Sequence, residues 1–166
     1  IVESLGMDEG KIFNMYREID SIYNKASFFL SFSEGVFDSN FTTGTLENDQ
    51  KYVENLCVFA LIVEGIFFYS SFAVMFGFQR QNKLLGSAEQ IQYIMRDESM
   101  HLNFGCQLIK TIIEEQPEIW TQEFQDKIVA YIREAAELEY TFAKEVFPRG
   151  IFGMNADGFK KYIEFI

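Results

Sequence analysis

Histidine, tryptophan, proline and cysteine are all scarce in this 166-residue sequence: one His, one Trp, two Pro and two Cys. Proline breaks helices from within, so a chain with two of them has room for long uninterrupted helices. Cys57 and Cys106 make no Cys-x-x-Cys pair and no dense framework, which argues against a disulfide scaffold and suits a reducing compartment. Basic residues are also in deficit, 14 against 25 acidic, for a net charge of −11. No basic patch offsets this, so nucleic acid is not an expected partner. There is no signal-peptide pattern, no solenoid-period repeat and no low-complexity tract.

What is abundant is apolar: 48% of the residues are hydrophobic and 17% aromatic, with 19 Phe, enough for one compact domain over residues 1–166. The first residues, Ile1-Val2-Glu3-Ser4, lack an initiator Met, and Tyr162-Ile163-Glu164-Phe165-Ile166 stops in mid-pattern. The sequence is therefore expected to be an internal piece of something longer.

Helical periodicity dominates. A first helix is expected from about Asp8 to Phe29, with Ile12, Met15, Ile19, Ile22 and Tyr23 facing inward. Ser31 to Gly44 reads as a connection with room for a short hairpin. A long helix follows from about Leu46 to Gln81, then a turn over Asn82 to Gly86, then a helix ending before Pro117. Thr121 is an expected N-cap for a helix with Phe124, Ile128, Tyr131, Ala135, Leu138 and Phe142 on its apolar stripe. Pro148-Arg149-Gly150 ends it, and a last helix begins near Ala156. The fold class is an all-α bundle with short connections.

Between Cys57 and Phe78 only Glu64 is charged, a run long enough to span a membrane. Glu64 itself, the polar Tyr69-Ser70-Ser71 patch and the lack of flanking basic residues favour the core helix of a soluble, cytoplasmic bundle instead.

The chemistry lies on two helices. His101 follows Glu98 by three residues, so the two are neighbours on one helical face. Ile91, Ile94, Glu98, His101, Gly105, Leu108 and Ile112 recur at intervals of three and four, which predicts that Glu98 and His101 are buried. Glu64 lies on a similar line with Leu61, Phe68 and either Ser71 or Phe72. A buried Glu on one helix and Glu-x-x-His on the next is half of a carboxylate-bridged dimetal site. Oxygen ligands with imidazole suit Fe and Mn. Taken alone, each feature has a plain reading: an exposed Glu–His pair, a protonated or paired Glu64, an Arg96–Asp97 surface pair, or Phe68, Phe72 and Ile94 as ordinary core.

The stretch Val63-Glu64-Gly65-Ile66-Phe67-Phe68-Tyr69-Ser70-Ser71-Phe72, with Ile94-Met95-Arg96-Asp97-Glu98-Ser99-Met100-His101-Leu102-Asn103-Phe104-Gly105, resembles the β (small, radical-generating) subunit of class I ribonucleotide reductase. The resemblance continues through Arg80-Gln81-Asn82-Lys83 and Pro148-Arg149-Gly150-Ile151, and is nearest to the branch that includes manganese/iron enzymes. It implies a ferritin-like helical bundle, of which this is roughly the second half. It further implies a dimetal cofactor, Fe/Fe or Mn/Fe, with Glu98 bridging and Glu64 and His101 as terminal ligands of one metal. Asp97 would be an acid of the radical-transfer relay, and Phe68, Phe72 and Ile94 the apolar pocket around the radical. The implied partners are the large catalytic α subunit, a second β subunit and, if the subunit is split, its upstream half.

The pattern is incomplete. The family's other Glu-x-x-His, a further Asp or Glu, the radical tyrosine and the Trp partner of Asp97 have no counterpart in this sequence; Ile1 to Gly6 resembles the end of the helix that would carry such ligands. By itself the chain is expected to lack reductase activity. A ferritin-like metal-binding oxidase and a metal-free scaffold remain alternatives from other functional classes.

Overall fold

Ten consecutive residues, Val58–Phe67, form a π-helix in the middle of a 34-residue helix that runs from Leu46 to Gln79. The computed structural model describes residues 3–33, 36, 38–146, 148, 150 and 155–166. All regular structure among them is helical: α1 (Glu9–Asn14), α2 (Asp20–Ser33), α3 (Leu46–Cys57), the π segment, α4 (Phe68–Gln79), α5 (Leu85–Glu115), α6 (Gln122–Val146) and α7 (Ala156–Phe165). Short 3-10 turns lie at Glu3–Leu5, Met15–Arg17 and Pro117–Ile119.

The helix starts are set by side chains that accept otherwise orphaned backbone N–H groups. Asp8 Oδ1 accepts from Lys11 N at 2.7 Å, Thr45 Oγ1 from Asn48 N at 3.3 Å, and Thr121 Oγ1 from Phe124 N at 3.2 Å. Asn155 Oδ1 does the same for Gly158 N at 2.8 Å.

The continuous first helix expected from Asp8 to Phe29 is instead broken by the 3-10 turn at Met15–Arg17. That turn changes the angle per residue, so counting at 3.6 from Ile12 loses phase. Met15 and Tyr23 are exposed, while Ser21, Phe28 and Ser33 are the buried positions of α2. No strand occurs between α2 and α3 among the described residues. Residues 34, 35 and 37 of that connection lie outside the described set, as do Ile1, Val2, Arg149 and Ile151 from the family-like stretches.

Packing radiates from the π segment. On one side Val58, Ile62, Ile66 and Phe67 meet Phe28 of α2, Ala135 and Ala143 of α6, and Phe159 and Ile163 of α7. On the other, Ala60 joins Val53 and Cys57 against Ile109 of α5, Ile119, and Phe124 and Ile128 of α6. Burial holds the Cys57 thiol up to about 12, so it is an inert part of the core. The stretch meets the length and hydropathy criteria of a membrane span, and 56% of its most apolar window is buried by its neighbours. A helix apolar on every side is what such a central position demands.

One contact fixes how closely α5 can approach. A Cβ placed on Gly105 would lie 2.4 Å from Ala60 Cβ and 3.7 Å from Ala60 Cα. Gly105→Ala is therefore expected to destabilise the fold by about 1–3 kcal/mol of overpacking, offset in part by about 1 kcal/mol of helix propensity. Ala60→Gly should largely relieve it. Denaturant midpoints of the two single variants and the double would show this; a Gly105→Ala protein as stable as wild type would refute the tight contact.

The sequence reading of α6 overlooked Glu139. It lies four residues beyond Ala135 on the same stripe and is completely buried. Lys25 of α2 meets it at 2.5 Å, with its Nζ also 4.7 Å from the Phe67 ring centroid and 4.6 Å from that of Phe142. Burial raises the Glu139 carboxyl above its usual range, against the pull of Lys25.

Candidate metal centre

Glu64 reaches the site from the π segment, and Glu98 and His101 reach it from α5. Two small residues let these elements close up. Ala60 meets Gly105, and a Cβ on Gly65 would already be 3.4 Å from Leu102 Cδ1. One ligand atom from each of Glu64, Glu98 and His101 lies within 4.8 Å of the others. His101 Nδ1 is 3.0 Å from Glu98 Oε2 and 4.0 Å from Glu64 Oε2.

The burial is uneven. Glu64 and Glu98 are buried, as the periodicity predicted, but the His101 side chain is 60% exposed. The expectation of a fully buried stripe is thus corrected at His101 and at Ile94, which is 41% exposed. Both lie on a face of α5 that no other described helix covers. Phe68 is likewise exposed, whereas Phe72 is buried, and their rings lie 6.2 Å apart. The chain brings these two Phe together without closing a dry pocket around them. Asp97 is exposed beside Tyr93, Arg96 and Met100.

The electrostatics mark this cluster as unusual. Burial, reinforced by a hydrogen bond with Glu98 and by its charge, pushes the Glu64 carboxyl up to about 7 against the pull of His101. The shared hydrogen bond with Glu64 holds Glu98 below the ordinary range despite burial, and His101 adds to this. His101 is raised chiefly by its hydrogen bond to Glu98. Glu64 Oε2 is buried and no hydrogen-bond donor reaches it. A buried carboxylate oxygen without a donor is costly, and a cation on that oxygen removes the cost. Two carboxylates and an imidazole make a donor set that fits Fe or Mn.

One cross-helix link was not anticipated. Tyr69 Oη lies 2.5 Å from Ser99 Oγ, joining α4 to α5 beside Glu98. In the sequence Tyr69 stood out only as part of a polar patch.

The helical bundle has a ferritin-like architecture, and it gathers two carboxylates and a histidine at one point. The family model of the ribonucleotide reductase small chain matches residues 1–166, and the chain belongs to that family. It is 48% identical over its whole length to the ribonucleoside-diphosphate reductase subunit beta of Chlamydia pneumoniae. It is 30% identical to the ribonucleoside-diphosphate reductase small chain of Plasmodium falciparum (isolate Dd2). These matches cover 48% and 42% of the two relatives, so the chain spans about half their length. Among solved structures, the R2 subunit of ribonucleotide reductase from Clostridium botulinum superposes with a TM-score of 0.80 at 26% identity. That match covers 93% of this chain and 46% of the other.

Proposed function

We propose that residues 1–166 are a single helical domain of the radical-generating β subunit of a ribonucleoside-diphosphate reductase, contributing half of its dimetal site. The intact subunit would support reduction of ribonucleotides to deoxyribonucleotides together with a large catalytic α subunit, as a β homodimer in the cytoplasm. The observation that carries this reading is the orphaned Glu64 Oε2, buried 4.0 Å from His101 Nδ1 and grouped with Glu98 in a member of this family.

When bound, a di-iron or manganese/iron centre supplies one-electron oxidising power drawn from O2. Toward it, Glu64, Glu98 and His101 would together hold metal in this half of the site. Glu64 and Glu98 contribute the compensating negative charge, and His101 a neutral nitrogen once it loses its proton. Phe68, Phe72 and Ile94 would keep water from the oxidant once the exposed face of α5 is covered, the natural place for the other half of the subunit. Asp97, on the outer side of α5, would relay a proton along the path to the large subunit.

Metal stoichiometry tests the reading. Anaerobic loading with Fe(II) and Mn(II) is expected to give one metal on this chain and two when a polypeptide supplying the complementary helices is added. Binding should weaken as the pH falls below about 7, because Glu64 holds a proton up to about there and the metal must displace it. His101, raised in the same way, steepens the loss. Absence of metal in both cases would refute the proposal.

A further inference from the structure

We propose that Tyr69 and Ser99 are a positioning pair that sets Glu98 and His101 in register against Glu64. The inference rests on the metal-site reading above and adds to it a control of geometry beyond the ligands and the core packing. Tyr69 lies at the start of α4, five residues beyond Glu64 on the same continuous helix. Ser99 lies between Glu98 and His101 on α5.

The direction of the bond follows from counting protons. Ser99 Oγ donates its single hydrogen to the Met95 carbonyl at 2.8 Å. The Tyr69 hydroxyl must therefore donate to Ser99, across 2.5 Å. Ser99 is thus held at both ends, to its own helix one turn back and to α4 across the gap.

Tyr69 is held in turn. Its ring packs on Phe72 at 5.7 Å, and its backbone carbonyl accepts from Tyr162 Oη of α7 at 3.4 Å. The link therefore fixes α5 to an anchored aromatic. Successive helical residues point about 100° apart, so a small rotation of α5 at Ser99 swings Glu98 and His101 together. Leu102 against Gly65 and Ile109 in the core hold α5 beyond His101. Phe68, Ile94 and His101, in contrast, are exposed on the metal side and leave the Tyr69–Ser99 bond to fix the turn that carries the donors. The Gly105–Ala60 contact limits approach without fixing rotation, because two small groups present no interlocking shape.

Removing the bond should leave folding nearly unchanged. Tyr69→Phe keeps the ring, and Ser99 keeps its bond to Met95. Ser99→Ala removes a back-bonding hydroxyl from a helix interior, where alanine is favoured. Ser99→Thr retains an oxygen able to bond the same carbonyl.

The test is a Co(II) titration of the full chain, reading affinity and the visible d–d spectrum, with helicity and thermal midpoint followed in parallel. Tyr69→Phe and Ser99→Ala are each expected to weaken Co(II) binding by roughly tenfold, in line with the effect of supporting groups around metal sites. Both should shift the d–d bands, leave helicity intact, and combine in the double variant to no more than either alone. Ser99→Thr should restore affinity and spectrum. Wild-type affinity and spectrum in Tyr69→Phe, or additive losses in the double variant, would overturn the pairing while leaving the metal site standing. If wild type itself binds no Co(II), the metal site fails and the positioning role falls with it.

Discussion

Glu98→Ala is expected to lower metal affinity by at least about a hundredfold while leaving the helices folded. Groups that merely support a ligand cost ten- to a hundredfold when removed, so loss of a ligand oxygen sets that upper value as a floor. Glu98 has a double role in the cluster. It is one of the three converging donors, and it holds the His101 ring through the 3.0 Å contact at Nδ1. Without it, His101 is left on an exposed surface with only the more distant Glu64 carboxyl, 4.0 Å away, beside it. The fold has little reason to fail, because alanine is the best helix former and the substituted carboxylate is itself near another acid. Equilibrium dialysis against Mn(II), alongside circular dichroism, separates the two effects. Unchanged affinity would remove Glu98 from the ligand set.

The largest loss of stability should come from a residue outside the metal cluster. Lys25→Met is expected to cost about 3–5 kcal/mol, because it leaves the fully buried Glu139 without its counter-charge. For a chain of this size that lowers the thermal midpoint by roughly 10 °C. The sign of its pH dependence is distinctive. In the variant the Glu139 carboxyl is raised further by the loss of Lys25. Its contribution to stability is complete below the unfolded value of about 4.3 and is lost as the pH rises through the folded value. The deficit relative to wild type should therefore shrink on acidification. A second substitution, Glu139→Leu, should recover most of the loss at neutral pH by replacing the stranded charge with apolar volume. Chemical denaturation at neutral and mildly acidic pH checks both points. A Lys25→Met protein as stable as wild type would mean that the pair contributes nothing.

The parts of the fold that could be read from sequence are those governed by local rules. The Thr121 cap, the helix starts near Leu46 and Ala156, the break at Pro117 and the paired anomalies Glu64 and Glu98 all follow from residue type and spacing. What escaped depended on backbone phase or distant partners. The 3-10 turn at Met15–Arg17 shifted the face of α2, so Tyr23 turned outward and Lys25 inward. Glu139 was hidden by its chemistry: a glutamate on an apolar stripe is usually taken as a flank residue unless its lysine, more than a hundred positions away, is known. His101 was expected inside because its neighbours on the stripe are apolar. Periodicity identifies a face but not whether another helix is present to cover it.

The widened turns of Val58–Phe67 make length a constraint of a different kind. A residue added to or lost from an exposed turn such as Gln81–Leu84 changes a path that can be redrawn. One added or lost between Cys57 and Phe68 rotates everything beyond it on the same rod. Tyr69, Phe72 and the rest of α4 would then face different neighbours from those they face now, while Val53 and Cys57 kept theirs. The central helix behaves as two shafts joined by a coupling set at one angle. Substitutions along it can be absorbed one side chain at a time, but the count of residues in the coupling cannot drift.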